Sequence, residues 1–167
     1  MALTLERRAG VGYDAHRFGG RRRLVLGGVD IPGEQGLVGH SDADVIAHAV
    51  ADALLGAAGM GDIGERYPPA DPRFEGADSI ELLRDTTGAL RESGWRVANV
   101  DVSVLAERPV ISPFKARMAE RLADALQVTA GDVNVKATTN EGMGFVGRGE
   151  GIAAIAVAQL ERGEHGR

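Results

Sequence analysis

The sequence predicts an α/β sandwich, one mixed sheet with helices on one face. Three observations carry that expectation. Stretches with strand-like alternation are interleaved with stretches of helical periodicity. Apolar residues make up 44% of the chain but aromatics only 4%, so the core is built from Ala, Val, Leu and Ile and lets backbones approach closely. Gly151 to Gln159 is apolar on both faces, and such a strand needs cover on both sides, helices on one and another subunit on the other.

Each element follows in order. Arg8 to His16 is a first strand. Gly19-Gly20 with Arg21-Arg22-Arg23 predicts an exposed turn, the arginines being a solvated loop or, alternatively, a phosphate site. Leu24-Val25-Leu26 and Val29-Asp30-Ile31-Pro32 are short strands around Gly27-Gly28. Ser41 followed by Asp44 gives a capping-box-like start to a helix running to about Ala58, with Asp44, His48 and Asp52 on one face. Asp78 opens a second helix that stops at Gly94. Trp95 to Leu105 sets Val100, Val102 and Val104 against Asp101 and Ser103, a strand with one wetter face. Ser112-Pro113 starts a third helix ending near Leu126, and Val133 to Ala137 is a further strand. Gly151 to Gln159 closes the set. With no internal repeat, low-complexity tract or linker, residues 1–167 are expected to form a single domain.

Composition excludes several classes. There is no cysteine, hence no disulfide framework or thiolate metal site, which fits a reducing cytoplasm. Met1 to Arg8 shows no leader-peptide pattern, and no apolar run approaches the ~18 residues of a membrane span. A net charge of −5 argues against nucleic-acid binding.

Histidine and acidic residues carry the chemistry. Asp14 and His16, at i and i+2 of a strand, point the same way, and His48 on the first helix can join them. Three protein ligands with a vacant position describe a catalytic Zn²⁺ site. The alternative is that Asp14 orients His16 while His48 packs in the interface. His40-Ser41 precedes a helix N-terminus, a natural anion site, or else Ser41 is only the N-cap. Lys136 to Gly151 combines two threonines, Glu141 and five glycines, suited to a hard cation with phosphate oxygens, or to a Gly-rich hairpin with solvated charges. It is neither a Walker loop nor a dinucleotide fingerprint.

Taken together these motifs resemble the 2-C-methyl-D-erythritol 2,4-cyclodiphosphate synthase family of non-mevalonate isoprenoid biosynthesis. The likeness spans Gly10 to about Leu160. It is carried by Gly-Tyr-Asp-Ala-His-Arg-Phe (12–18), Gly-His-Ser-Asp-Ala-Asp-Val (39–45), Ala-Leu-Leu-Gly-Ala-Ala (53–58), Gly-Asp-Ile-Gly (61–64), Asn-Val-Lys-Ala-Thr-Thr-Asn-Glu (134–141) and Gly-Arg-Gly-Glu-Gly-Ile-Ala (147–153).

The resemblance implies a phosphorus–oxygen lyase that turns 4-diphosphocytidyl-2-C-methyl-D-erythritol 2-phosphate into the 2,4-cyclodiphosphate and CMP. It implies a homotrimer with sheets facing the threefold axis and active sites between subunits. Zn²⁺, or another divalent transition metal, would be held by Asp14, His16 and His48, and Mg²⁺ or Mn²⁺ would sit with the diphosphate at Glu141. His40 and Thr139 would stabilise the transition state. Asp14, Ala15, His16, Ser41, Asp62, Ile63, Gly64, Tyr67 and Asp71 would contact the erythritol and its phosphates. Ala106, Glu107, Arg108, Pro109, Val110, Ile111, Ser112 and Thr138 would form the cytidine pocket, with Asn140 beside it. Phe145 and Arg148 would lie near an axial cavity able to hold an isoprenoid diphosphate. Two departures stand out: Pro69 where the family often has an acidic residue, and Val110 where a lysine is common. Altered substrate affinity, not lost activity, is the expectation. Within 167 residues no fused cytidylyltransferase domain is expected.

Overall fold

The computed structural model describes residues 5–163 and, within them, every side chain but that of Arg21. Met1 to Thr4 of the stretch inspected for a leader, and the Arg21 side chain of the arginine triplet, therefore lie outside the described residues.

Five strands build one mixed sheet: β1 (Leu5–Leu26), β2 (Val29–Leu37), β3 (Arg96–Leu105), β4 (Val133–Thr138) and β5 (Gly151–Gly163). Their order is β2-β1-β5-β3-β4. Among the described residues, only the β3–β4 pair is parallel. The helices are α1 (Val45–Ala58), α2 (Ile63–Arg66), α3 (Ser79–Glu92), α4 (Lys115–Leu126) and α5 (Gly144–Gly147). The single mixed sheet with its helices agrees with the predicted class. No helix among the described residues is long and apolar enough to cross a membrane.

β2 runs past the expected Pro32 to Leu37, and α4 begins at Lys115 after a 3₁₀ turn at Ser112–Phe114. Three further departures from expectation have structural causes. The turn at 19–23 is absent, because β1 runs through it. Phe18 pairs with Leu37 and Arg23 with Gln35, so the residues between bulge out opposite Gly36 alone. β5 continues to Gly163, held by β1 on one side and β3 on the other. The N-cap of α1 is Asp44, not Ser41. Its carboxylate accepts from the Ile46 and Ala47 N–H groups and, at 2.8 and 2.7 Å, from those of Gly27 and Gly28. Both serine and aspartate cap well; the hairpin turn between β1 and β2 decides for Asp44. The second helix behaves as predicted, capped by Asp78 and ended before Gly94, whose φ is 80°.

Even-numbered residues of β1 face α1. A Cβ on Gly10 or Gly12 would collide with the carbonyl oxygens of Ala53 and Ala49, so these glycines let the helix settle on the strand. Ala154, Ala156 and Ala158 of β5 line the same seam and are fully buried. On the opposite face Val11 and Tyr13 are 67% and 57% exposed, and their cross-strand partners Val157 and Ile155 are 46% and 39% exposed. The two-faced apolar character of β5 is thus half used within one chain.

Candidate metal centre

Beyond Gly12, the next two residues on the helix-facing side of β1 are Asp14 and His16. His48 lies in the first turn of α1, directly above them. Asp14 Oδ2 stands 2.9 Å from His16 Nε2 and 3.0 Å from His48 Nδ1, and the two ring nitrogens are 3.2 Å apart.

The outer nitrogens of both rings are already engaged. His16 Nδ1 lies 2.8 Å from the Val38 carbonyl, which can only accept, so this nitrogen carries the proton. His48 Nε2 lies 2.8 Å from Ser79 Oγ and 3.0 Å from Ser41 Oγ. With neutral rings in these tautomers, one carboxylate oxygen and two bare ring nitrogens aim at one point, an arrangement that only a cation reconciles. An ion about 2.0–2.2 Å from three tetrahedral ligands sets them about 3.3 Å apart, close to the spacing found. The donor set, two imidazoles and a carboxylate, fits a divalent transition metal.

Without a metal the cation is a proton. Burial pushes the Asp14 carboxyl up, but hydrogen bonds and charge from His16 and His48 outweigh it and hold it well below the usual carboxylate range. Burial likewise pulls His16 down, yet its bond to Asp14 prevails and raises it above its ordinary 6.5.

The triad opens into a cavity of about 190 Å³. His40 and Ser41 line it with Ile63, Gly64, Tyr67, Pro69, Phe74 and Leu82. Other predicted contacts are occupied otherwise. The Asp62 carboxylate caps α2 by accepting from Glu65 N–H at 2.8 Å, and Asp71 is clamped by Arg73, leaving its carbonyl to accept from His40 Nε2 at 3.3 Å.

A second cleft, of about 240 Å³, is lined by Ala106, Glu107, Pro109, Val110, Ile111, Ala137, Thr138 and Thr139. Glu107 accepts from the N–H groups of Asn140 and Gly142 at 2.8 and 3.3 Å and thereby ties the two sides together. The Arg108–Pro109 peptide is cis; Arg108 turns its guanidinium to Glu34 and Phe18, away from those lining residues. Ser112 opens the 3₁₀ turn leading into α4. Glu141 is exposed on the turn after β4 at φ 51°, outside the Asp14–His16–His48 group. Phe145 lies on α5, and Arg148, just beyond it, pairs with Glu150 at 2.6 Å.

The residues that sequence reasoning missed are Ser79, read only as part of a helix start, and Asp42, given no role. Ser79 lies 31 residues from the histidine it contacts, and no local pattern signals that.

Comparison with known proteins follows the same lines. The profile of the YgbB family matches residues 7–161. A bifunctional enzyme IspD/IspF of Anaeromyxobacter sp. is 61% identical over 92% of this chain, which spans 39% of that relative's length. A 2-C-methyl-D-erythritol 2,4-cyclodiphosphate synthase of Symbiobacterium thermophilum is 59% identical over 90% of this chain and 96% of its own. Among solved structures, a Plasmodium falciparum IspF in complex with CDP is 30% identical with a TM-score of 0.82, covering 95% of this chain and 97% of that one.

Proposed function

This chain belongs to the YgbB family, and from that premise we propose that its Asp14–His16–His48 cavity forms 2-C-methyl-D-erythritol 2,4-cyclodiphosphate from 4-diphosphocytidyl-2-C-methyl-D-erythritol 2-phosphate, releasing CMP. The observation that carries the reading is the convergence of three bare ligand atoms at the floor of a cavity lined by His40 and Ser41.

In the reaction an oxygen of the 2-phosphate bonds to the β-phosphorus. The bond from that phosphorus to the oxygen bridging to the α-phosphorus breaks, and its electron pair leaves with CMP. A phosphate dianion is already a nucleophile, so no general base is needed. A divalent cation such as Zn²⁺, when bound at the triad, supplies charge neutralisation at a phosphate oxygen. The remaining work falls to the chain. Ser41 lines the cavity, its Oγ accepting from Ala43 N–H at 3.2 Å and lying 3.0 Å from His48 Nε2. His40 stands at the cavity wall with its Nε2–H on the Asp71 carbonyl, and would, with Thr139 of the second cleft, stabilise the charge of the transition state. The apolar wall of Ile63, Tyr67, Pro69, Phe74 and Leu82 excludes water that would otherwise hydrolyse the diphosphate. Holding both phosphates in one folded substrate supplies the positioning contribution.

The nucleotide end is read into the 106–111/137–139 cleft, and the Glu141 carboxylate, exposed on the turn after β4, would hold a hard cation such as Mg²⁺ or Mn²⁺, which would supply charge neutralisation. Ala15, Ala153, Leu105 and Thr138 lie in register across the sheet, so triad and cleft are about 14 Å apart, three strand spacings. A homotrimer in which a neighbouring subunit brings its cleft to the triad would complete the site. Phe145 and Arg148 would then approach the threefold axis, where an isoprenoid diphosphate could pair with Arg148 in place of Glu150. The absence of cysteine supports a cytoplasmic setting.

Phosphorus-31 NMR of the protein with the substrate, with Mg²⁺ and with chelator, tests the proposal. Coupled cyclic-diphosphate signals appearing with CMP, and abolished by chelation, are expected. Inorganic phosphate instead would make the protein a hydrolase, and unchanged substrate would overturn the reading.

A further inference from the structure

Behind His48, on the side away from the cavity, sits a polar chain that the proposed reaction does not use. His48 Nε2 is 2.8 Å from Ser79 Oγ, and Ser79 Oγ donates to Asp42 Oδ1. Asp42 also accepts from the N–H of Ser79 at 3.1 Å and from that of Asp44 at 3.1 Å. Ser79 is 1% exposed, so its hydroxyl has no water to exchange partners with.

The direction of these bonds follows from proton counting. A hydroxyl has one proton, and a carboxylate can only accept, so Ser79 gives its proton to Asp42. Its lone pairs then face His48 Nε2, which must donate. A neutral imidazole protonated at Nε2 is bare at Nδ1, the nitrogen 3.0 Å from Asp14 Oδ2 and 3.2 Å from His16 Nε2. Ser41 Oγ, 3.0 Å from the same Nε2, can either give or accept a proton and cannot by itself choose between tautomers.

We propose that Asp42 and Ser79 are positioning residues, a carboxylate–hydroxyl relay that fixes the Nε2–H tautomer of His48 and so presents Nδ1 as the metal ligand. The proposal rests on reading Asp14, His16 and His48 as a metal site. It assigns to the loop before α1 and to the first turn of α3 a joint role in metal affinity, reached through a single ring. The design parallels that of His16, whose Nδ1–H is directed by the Val38 carbonyl.

Ring-nitrogen-labelled metal-free protein, observed by long-range ¹H–¹⁵N NMR at a pH where His48 is neutral, reads the tautomer directly. Zinc competition against a chromophoric chelator reads the affinity, and thermal melting of each metal-free variant reports the fold. The wild type is expected to show the Nε2–H pattern. Ser79→Ala is expected to show mixed tautomers and zinc binding about 10- to 100-fold weaker, as loss of an outer hydrogen-bond partner typically produces. Ser79→Thr, which keeps the hydroxyl, is expected to restore both. Asp42→Asn, whose side-chain amide can donate back to Ser79, is expected to scramble the tautomer in the same way. A Ser79→Ala protein that keeps the Nε2–H tautomer, or keeps wild-type zinc affinity, overturns the relay. A wild-type protein that takes up no zinc fails the metal reading instead, and its ring tautomer still judges the relay separately.

Discussion

Asp14, His16 and His48 form a group whose lone pairs tolerate one another only around a cation, so a proton and the proposed metal would compete for one position. His16 is raised above 6.5; its contribution to the stability of the metal-free fold is therefore full below that value and is lost as pH rises through the raised one. Asp14 is lowered below 3.8, so its contribution is full above 3.8 and is lost as pH falls through the lowered value. The metal-free triad is thus most stabilising between 3.8 and 6.5, the range in which zinc must displace a proton. Zinc titrated calorimetrically in buffers of different ionisation enthalpy should release protons near neutrality and bind more weakly at pH 6 than at pH 7.5. An affinity that ignores pH would mean that no proton occupies the site. His48→Ala removes one of the three proposed ligands, and at least a 100-fold loss of zinc affinity together with most of the proposed synthase rate is expected. Full activity in that variant would remove His48 from the ligand set.

Those atoms meet only because α1 lies unusually close to β1. The seam is made of Gly10 and Gly12 against Ala49, Ala53 and Ala57, and any side chain at Gly12 must push His48 away from Asp14 and His16. Gly12→Val should cost about 1–3 kcal/mol or more by overpacking, at about 2–4 °C of Tm for each kcal/mol in a chain of this size, and should weaken zinc binding in the same protein. Gly56 offers the contrast, since a Cβ there meets nothing within 4 Å. Gly56→Ala on the same helix should stabilise by about 0.5–1 kcal/mol and leave zinc binding unchanged. Thermal melts of the two variants separate a crowding effect from mere loss of glycine. Much of this layer was legible in the sequence. The i, i+2 spacing of Asp14 and His16 on a strand and the place of His48 on an amphipathic helix are local patterns, as are the cap at Asp78 and the stop at Gly94. What escaped was decided across the fold. Ser41 lost the cap to Asp44 because the N–H groups of Gly27 and Gly28 needed an acceptor. The glycines at 19–20 entered a bulged strand because β2 pairs on both sides of them. Ser79 met His48 through the docking of α3, and Glu107, while lining the cleft, also anchors the backbone of Asn140 and Gly142.

At the scale of the whole molecule, the side of the sheet away from the helices has the character of an interface. Val11, Tyr13, Ile155 and Val157 form a contiguous apolar strip at the centre of β1 and β5, flanked toward β4 by the Asp101–Lys136 pair. A soluble chain seldom leaves such a central strip open to water, and a strip bordered by charge specifies how a second copy may sit. The proposed homotrimer would bury it and carry the 106–111/137–139 cleft of one copy toward the triad of another. That arrangement separates two properties that would coincide in a self-sufficient monomer. All three candidate metal ligands come from one chain, so zinc binding at them would not depend on assembly. In the proposed trimer the two ends of the substrate would need two chains, so turnover would depend on assembly. Val157→Glu places a carboxylate in the middle of the strip, where burial without a partner would cost several kcal/mol per copy. Sedimentation should show the wild type at three times 17.5 kDa and the variant at one. The variant should still bind zinc within about threefold of the wild type, because the ligand set lies on the covered face of β1 and on α1, yet lose synthase activity by at least 100-fold. A monomeric variant with near wild-type turnover would show that one chain holds a complete site and would remove the neighbouring subunit from the chemistry.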